Sequence, residues 1–287
     1  MRKFWESIYC PNYISGYNPF ILKDMNKAIE NVSEAINSRK KIVIYGINTV
    51  DSICAIASLS LVLQYLNADV EYLIHDNENL DSKIDSINIK EKVDFLGAEL
   101  LITLGIDIIS DEVASLCKDL NIDIVVLENK ETDEKKEYIY INPNQKGCQY
   151  RYKTLPLSLL SFKLMQAIAI YYNMKSINKY LDLIFLGTRW ELYPKIIFKG
   201  ENGIILKEGK GILENTKNIG LRAIIDYNNI ENIEDGIDEI INFITPTIST
   251  VGMINNGRII LELLTTIDSD RAAQIVKYLH NISKQKN

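Results

Sequence analysis

Between residues 41 and 127, short apolar runs alternate with longer segments of helical or polar character, and this alternation limits the fold more than any other feature. "KIVIY" (41–45) precedes an apolar helical stretch at 50–66, and "DVEYLI" (69–74) precedes a polar loop rich in Asp and Asn. "ELLITL" (99–104) precedes "SDEVASLCKDL", and "DIVVL" (123–127) follows. Strands that alternate with helices are joined by right-handed crossovers into a parallel sheet. Ser110 is the expected N-cap of the 111–120 helix, where Asp111 and Glu112 suit its positive end. A further helix precedes residue 40. From Leu155 onward the pattern is mostly helical, with one short extended piece expected near "GIILK" (203–207). "ENKETDEKKE" (128–137) reads as a solvated loop or short helix. The expectation is one α/β domain over residues 1–287, with a parallel-sheet core at about 40–150 and a helical half at about 151–287.

A parallel sheet aims the loops at its carboxyl edge into one crevice, where α/β proteins build their sites. Those loops are 46–51, 105–107 and 128–130. The first, "GINTVD", carries a single acid, Asp51. Net charge is −6, which argues against broad electrostatic binding of nucleic acid while leaving room for a local basic groove. The cysteines, Cys10, Cys54, Cys117 and Cys148, form no close pair, so neither a zinc knuckle nor a disulfide framework is expected. They read as reduced thiols, with Cys54 and Cys117 on buried helix faces. The first residues lack the apolar run of a signal peptide. "LPLSLLSFKLMQAIAIYY" is interrupted by Pro156, Lys163 and Gln166, so a core helix is expected there rather than a membrane span. A cytoplasmic location follows. The two histidines, His75 and His280, read as surface or structural residues, with His75 near enough to a strand end to face the crevice.

Several stretches resemble the DHH phosphoesterases and, within them, the RecJ single-strand exonucleases. "NPFILKDMNKAIENVSEAI" is similar to the first helix of RecJ, and "IYGINTVDSICAIASL" to the first metal motif with its helix. "ELLITLGIDIISDEVASLCKDLNIDIVVLENK" resembles the second and third motifs, and "LDLIFLGTRWELYP" the fourth. "INPNQKGCQYRYKTLPLSLLSFKLMQAI" and "GENGIILKEGKGILENTKNIGLRAII" match the intervening segments. The resemblance implies two divalent metals, manganese or magnesium, held by aspartates and histidines and activating water for attack on phosphate.

Carried onto this chain, most of those ligands are missing. The three aspartates of the first motif fall on Ile47, Thr49 and Asp51, and the following glycine is Ser52. The second motif's aspartate falls on Gly105, with Asp107 out of register. The Asp-His-His triplet falls on Glu128, Asn129 and Lys130, and the fourth motif's acid on Glu191. A later segment that is rich in Asn and Arg in the family reads "PTISTVGM" (246–253). Hard cations need several oxygen ligands at short range, so no metal, no cofactor and no catalytic residue is expected. Asp51, Lys130 and Glu191 remain as candidate ligand-binding residues, with the Lys130 ammonium expected to replace the lost cations by pairing with Asp51 or Glu191. Asp51 has a second reading, as a helix N-terminal acid accepting backbone N–H bonds. Arg189 and Trp190 either fill the crevice or pack on the helical half, and "NTKNIG" (215–220) is either a substrate-path loop or a structural turn.

RecJ proteins carry a further substrate-binding domain and often an oligonucleotide-binding fold, and neither is expected here. The resemblance therefore implies a catalytically inactive scaffold or regulator that binds a protein in DNA replication or repair, with weak or no binding of single-stranded nucleic acid. An inactive relative in the eukaryotic replicative helicase offers an analogy. Two alternatives stand beside it: a residual metal-dependent phosphoesterase or exonuclease with a rearranged site, and a nucleotide-binding sensor.

Overall fold

A computed structural model describes residues 17–75, 83–132, 135–192, 200–246 and 256–284. Its elements in chain order are α1 (Met25–Asn37), β1 (Lys41–Gly46), α2 (Val50–Tyr65), β2 (Asp69–Ile74), β3 (Leu100–Leu104), α3 (Asp111–Asp119), β4 (Asp123–Leu127) and β5 (Ile139–Ile141). Then come only helices: α4 (Leu157–Tyr171), α5 (Leu181–Leu192), α6 (Gly200–Leu213), α7 (Ile219–Tyr227), α8 (Ile233–Ile244), α9 (Gly257–Thr265) and α10 (Ser269–Lys284). Short helical turns cover 86–96.

The sheet is wholly parallel, in the order β2-β1-β3-β4-β5. Gly46 pairs with Leu104, and Leu104 with Leu127, so the three candidate loops leave the same edge. The chain turns from β1 to β2 on one side and crosses to β3 on the other. The β1–β3 boundary is thus the switch point where a crevice opens.

Strand side chains alternate between two cores. Ile42, Ile44, Ile102, Leu104, Val125 and Leu127 face the helical half, while Val43, Tyr45, Leu101, Val126 and Tyr140 face α3. Helix α2 is buried almost all round because it lies between the sheet and α4, α5 and α9, which explains its lack of a polar stripe. Helix α4, the apolar stretch expected to be core, is likewise buried from Leu157 to Ile168. Among the described residues, no helix is long and apolar enough to cross a membrane. Cys54 and Cys117 are buried free thiols.

Three expectations need correction. The 203–207 stretch is not extended but lies within α6, where Ile205 and Leu206 are buried. Its glycines weaken local helix propensity, and tertiary packing overrides that. At Gly209 a Cβ would sit 2.6 Å from Phe185 Cβ and 2.7 Å from the Leu181 carbonyl oxygen, so the glycine lets α6 close onto α5. Ser110 holds the N-cap position of α3 but its side chain makes no capping bond. The 128–137 run is only partly solvated, for Glu128 is buried and Lys136 nearly so. The short strand β5, at the sheet edge, adds to the four read from the sequence. "PTISTVGM" after Pro246, the polar loop at 76–82 and Cys10 lie outside the described residues.

Gly46 sets the closeness of α2 to the strand end. A Cβ there would lie 2.5 Å from Ser52 Oγ and 2.7 Å from Ile56 Cδ1. Gly46→Ala is expected to destabilise the fold by about 1–3 kcal/mol through overpacking, measured by urea denaturation. Unchanged stability would mean that α2 does not abut this strand end.

Candidate functional site: a crevice filled from within

The crevice residues come from three strand ends and two helix starts. Thr49 is the N-cap of α2, accepting from Ser52 N–H at 3.2 Å. Asp51, two residues on, is buried. It fits the reading of an acid that accepts backbone N–H groups, but those groups belong to a different helix. Leu157 N–H donates to its Oδ2 at 2.6 Å, and Ser158 N–H to its Oδ1 at 2.9 Å. Helix α4 needs this because its own N-cap is Pro156, which provides no side-chain cap. The first N–H groups of a helix have no intrahelical acceptor, and here a carboxylate from another element supplies one. Gly187 of α5 completes the junction: a Cβ there would come within 2.9 Å of Ser158 and 3.0 Å of Cys54.

The space beside Asp51 is apolar. Gly105, with φ +75°, donates its N–H to the Leu127 carbonyl. A Cβ at Gly105 would lie 2.4 Å from Leu157 Cδ1 and 3.3 Å from Ile47 Cδ1. Leu157 and Ile47 therefore occupy the space into which an acid at 105 would project.

The 128–130 loop is tied down by amides. Asn129 Nδ2–H donates to the Leu155 carbonyl at 2.8 Å. Asn144 Nδ2–H donates to the Asn129 carbonyl, and Asn142 Nδ2–H to the Lys130 carbonyl, each at 2.7 Å. Glu128 is buried, and burial pushes its carboxyl above the usual range, opposed by the charges of Lys130 and Lys136. Glu191, in the last turn of α5, is exposed at its surface, yet partial desolvation raises its carboxyl. Its charge raises the Asp51 carboxyl further.

The described hydrogen-bond partners of Asp51 are backbone N–H groups, where the Lys130 ammonium was expected. Both Asp51 oxygens are taken by the α4 backbone, and Lys130 is an exposed residue whose charge acts on Glu128. Two N–H groups and a helix N-terminus offer a carboxylate what an ammonium would, without burying a second charge. Lys136 is the lysine that is taken inward. Its Nζ lies 2.9 Å from Asp107 Oδ2, with both side chains largely buried, and Tyr138 O–H donates to Asp107 Oδ1 at 2.5 Å. The sequence signal for this pair was a lone acid in the apolar run "GIDII", which reads only as out of register.

Other candidates resolve as structure. His75 is buried edge-on against Tyr45, with 5.7 Å between ring centroids. His280 packs against Tyr227. In "NTKNIG", Thr216 donates to buried Asp182 at 2.5 Å and Asn218 caps α7, a structural turn. Arg189 reaches Asp238 at 3.4 Å, and Trp190 packs against the core. Asp182, which sequence reasoning missed, has its carboxyl pushed up to about 6 by burial.

The model of the DHH family N-terminal domain matches residues 41–188, from β1 into α5. The chain belongs to the DHH family. Among curated relatives, the single-stranded-DNA-specific exonuclease RecJ of Bacillus subtilis is 27% identical over 276 residues, covering 94% of this chain and 34% of the relative. The RecJ of Haemophilus influenzae is 25% identical over 287 residues, covering 95% and 49%. The chain thus spans half or less of the length of these relatives. RecJ from Thermus thermophilus in complex with Mn2+ superposes with a TM-score of 0.74 at 20% identity, over 92% of this chain and 38% of that one. An exonuclease RecJ bound to manganese gives 0.76 at 21% identity, over 92% and 66%. These likenesses establish the fold.

The DHH metal centre can be tested against the donors present. Ile47 and Gly105 offer no oxygen from their side chains, Thr49 is a helix cap, and the Asn129 amide is engaged with Leu155. Each Asp51 oxygen already accepts one N–H of α4. Among the described residues, no group of three His, Cys, Asp or Glu side chains is arranged to hold a metal ion. The residues present do not fit two divalent cations.

Burial, opposed by the bonds from Ser158 and Leu157, pushes the Asp51 carboxyl up to about 7, against 3.8 for an ordinary aspartate. The folded state therefore holds this proton more tightly than the unfolded chain. The stability it confers is fully present below pH 3.8 and is lost as pH rises through about 7, at about 1 kcal/mol per pH unit. Relative to Asp51→Asn, the parent is expected to lose stability between about pH 4 and pH 7 in chemical denaturation, with little further change above. Parallel pH profiles for the two proteins would show that Asp51 is ionised throughout and not desolvated.

Proposed function

We propose that this chain is a catalytically inactive DHH-family protein that acts by binding another protein, as a scaffold or regulator in DNA replication or repair. The observation that carries this reading is the engagement of both Asp51 oxygens by the Leu157 and Ser158 N–H groups. The one aspartate kept from the first motif serves the architecture, and an apolar pair, Ile47 and Leu157, lies where further acids would project. Relatives named as single-stranded-DNA-specific exonucleases support a place in DNA metabolism. In this reading residues 1–287 act as one DHH unit in the cytoplasm. Net charge of −6 supports weak, strongly salt-dependent affinity for single-stranded DNA.

The test is hydrolysis of labelled single-stranded DNA and of short oligonucleotides by the purified protein in manganese and in magnesium. A relative with the full ligand set serves as positive control. The expected rate equals that of a no-enzyme blank with either metal. Metal-dependent cleavage that disappears in Asp51→Ala would overturn the reading and favour a rearranged phosphoesterase site.

A further inference from the structure

The family crevice lies at the carboxyl ends of the strands, but a lysine-lined groove lies elsewhere, at the β5 edge of the sheet. The sheet ends at β5, and α1 and α3 pack on opposite faces of the sheet. At this edge a groove of about 1030 Å³ is lined by residues of α1, α3, β4 and β5 and of the loops beside them. Seven lysines and three carboxylates line it, in a chain whose net charge is −6.

Three of these lysines are neutralised within the fold: Lys27 by Asp24, Lys40 by Glu34 and Lys136 by Asp107. Lys23 donates to the Lys146 carbonyl, which carries no charge. Lys118, Lys135 and Lys146 are exposed, and no ion pair joins them to a described carboxylate. The groove therefore presents four ammonium groups, with the exposed carboxylates of Asp123 and Glu137 among them, over a floor in which Ile139 is partly exposed and Ile122 and Ile124 are buried. Lysine stems lie along apolar surface while their heads stay in water.

Two features decide what fits. Strand addition along β5 is blocked, because Gln145 Nε2–H already donates to the Tyr140 carbonyl. Base stacking is also disfavoured. The groove's aromatic rings are Tyr138 and Tyr140, with hydroxyls held by Asp107 and Asn142, and Lys136 lies over the Tyr140 ring. Single-stranded nucleic acid binds through open aromatic platforms beside a cationic track, and here Tyr140 is buried and Tyr138 only partly exposed. A chain with carboxylates for the lysines and aliphatic groups for Ile139 and the lysine stems matches both parts of the surface.

We propose that the groove between α1, β5 and α3 is a docking site for an acidic protein segment with interspersed aliphatic residues. The inference rests on the protein-binding reading above and names the chemistry of the partner. Recognition comes from side chains alone, so affinity is modest and falls as salt rises.

The experiment is fluorescence anisotropy of residues 1–287 with a labelled peptide of Asp and Glu interspersed with Leu. A composition-matched Lys peptide and a single-stranded oligonucleotide of equal charge serve as the other arms. The acidic peptide is expected to bind saturably, and Lys118→Glu combined with Lys146→Glu to weaken it about tenfold, the combined effect of two charge reversals. Neutralisation with Lys118→Gln and Lys146→Gln is expected to give a smaller loss with an unchanged thermal transition, separating lost contacts from lost folding. No binding of the acidic peptide, equal binding by the variants, or tighter binding of the oligonucleotide would each overturn the proposal. Because this readout needs no metal and no turnover, it fails or stands independently of the nuclease assay.

Discussion

The contact between the Asp51 carboxylate and the first N–H groups of α4 joins the two halves of this molecule. Asp51 sits at the start of the helix that follows the central strand, and Leu157 and Ser158 open the helical half more than a hundred residues later. A buried helix terminus with unpaired N–H groups is costly, and a buried carboxylate is costlier. Each cancels much of the other's desolvation. The geometry then propagates: α4 started at this point places the Leu157 side chain over Gly105, and Gly187 lets α5 close over the same junction.

That arrangement explains how a loop in the right place for chemistry can do without it. A cluster of acids without its metals would leave like charges facing one another, with raised pKa values and a strained fold. Here the cluster is dispersed residue by residue. Ile47 and Leu157 supply packing, Thr49 caps α2, Asn129 bonds a carbonyl, and Glu128 is buried near two lysines. Interactions between like charges remain, Glu191 on Asp51 and Asp107 on Glu128, and each contributes to a raised carboxyl.

The sheet was legible because its determinants are local. Apolar runs of five or six residues with helices between them dictate a parallel sheet, and the strand ends Gly46, Leu104 and Leu127 fall in register as that pattern requires. The partners of Asp51 were not legible, since nothing near residue 51 points to Pro156 as a cap without a side chain to offer. The Asp107–Lys136 pair was hidden for the same reason, one member in an apolar turn and the other inside a charged run. The 203–207 stretch, expected to be extended, is helical because packing on α5 decides its conformation, and Gly209 permits that close approach. The lysine groove draws residues from 23 to 146, so no window of sequence contains it.

Asp51 as a cap for α4, and not as a metal ligand, is the claim on which the rest turns. Anomalous diffraction at the manganese edge, from crystals of the protein equilibrated with Mn2+, tests it at the atoms concerned. The predicted result is no anomalous peak at Asp51, with its oxygens still on the Leu157 and Ser158 N–H groups. A peak coordinated by Asp51, with the first turn of α4 displaced to release it, would contradict the claim.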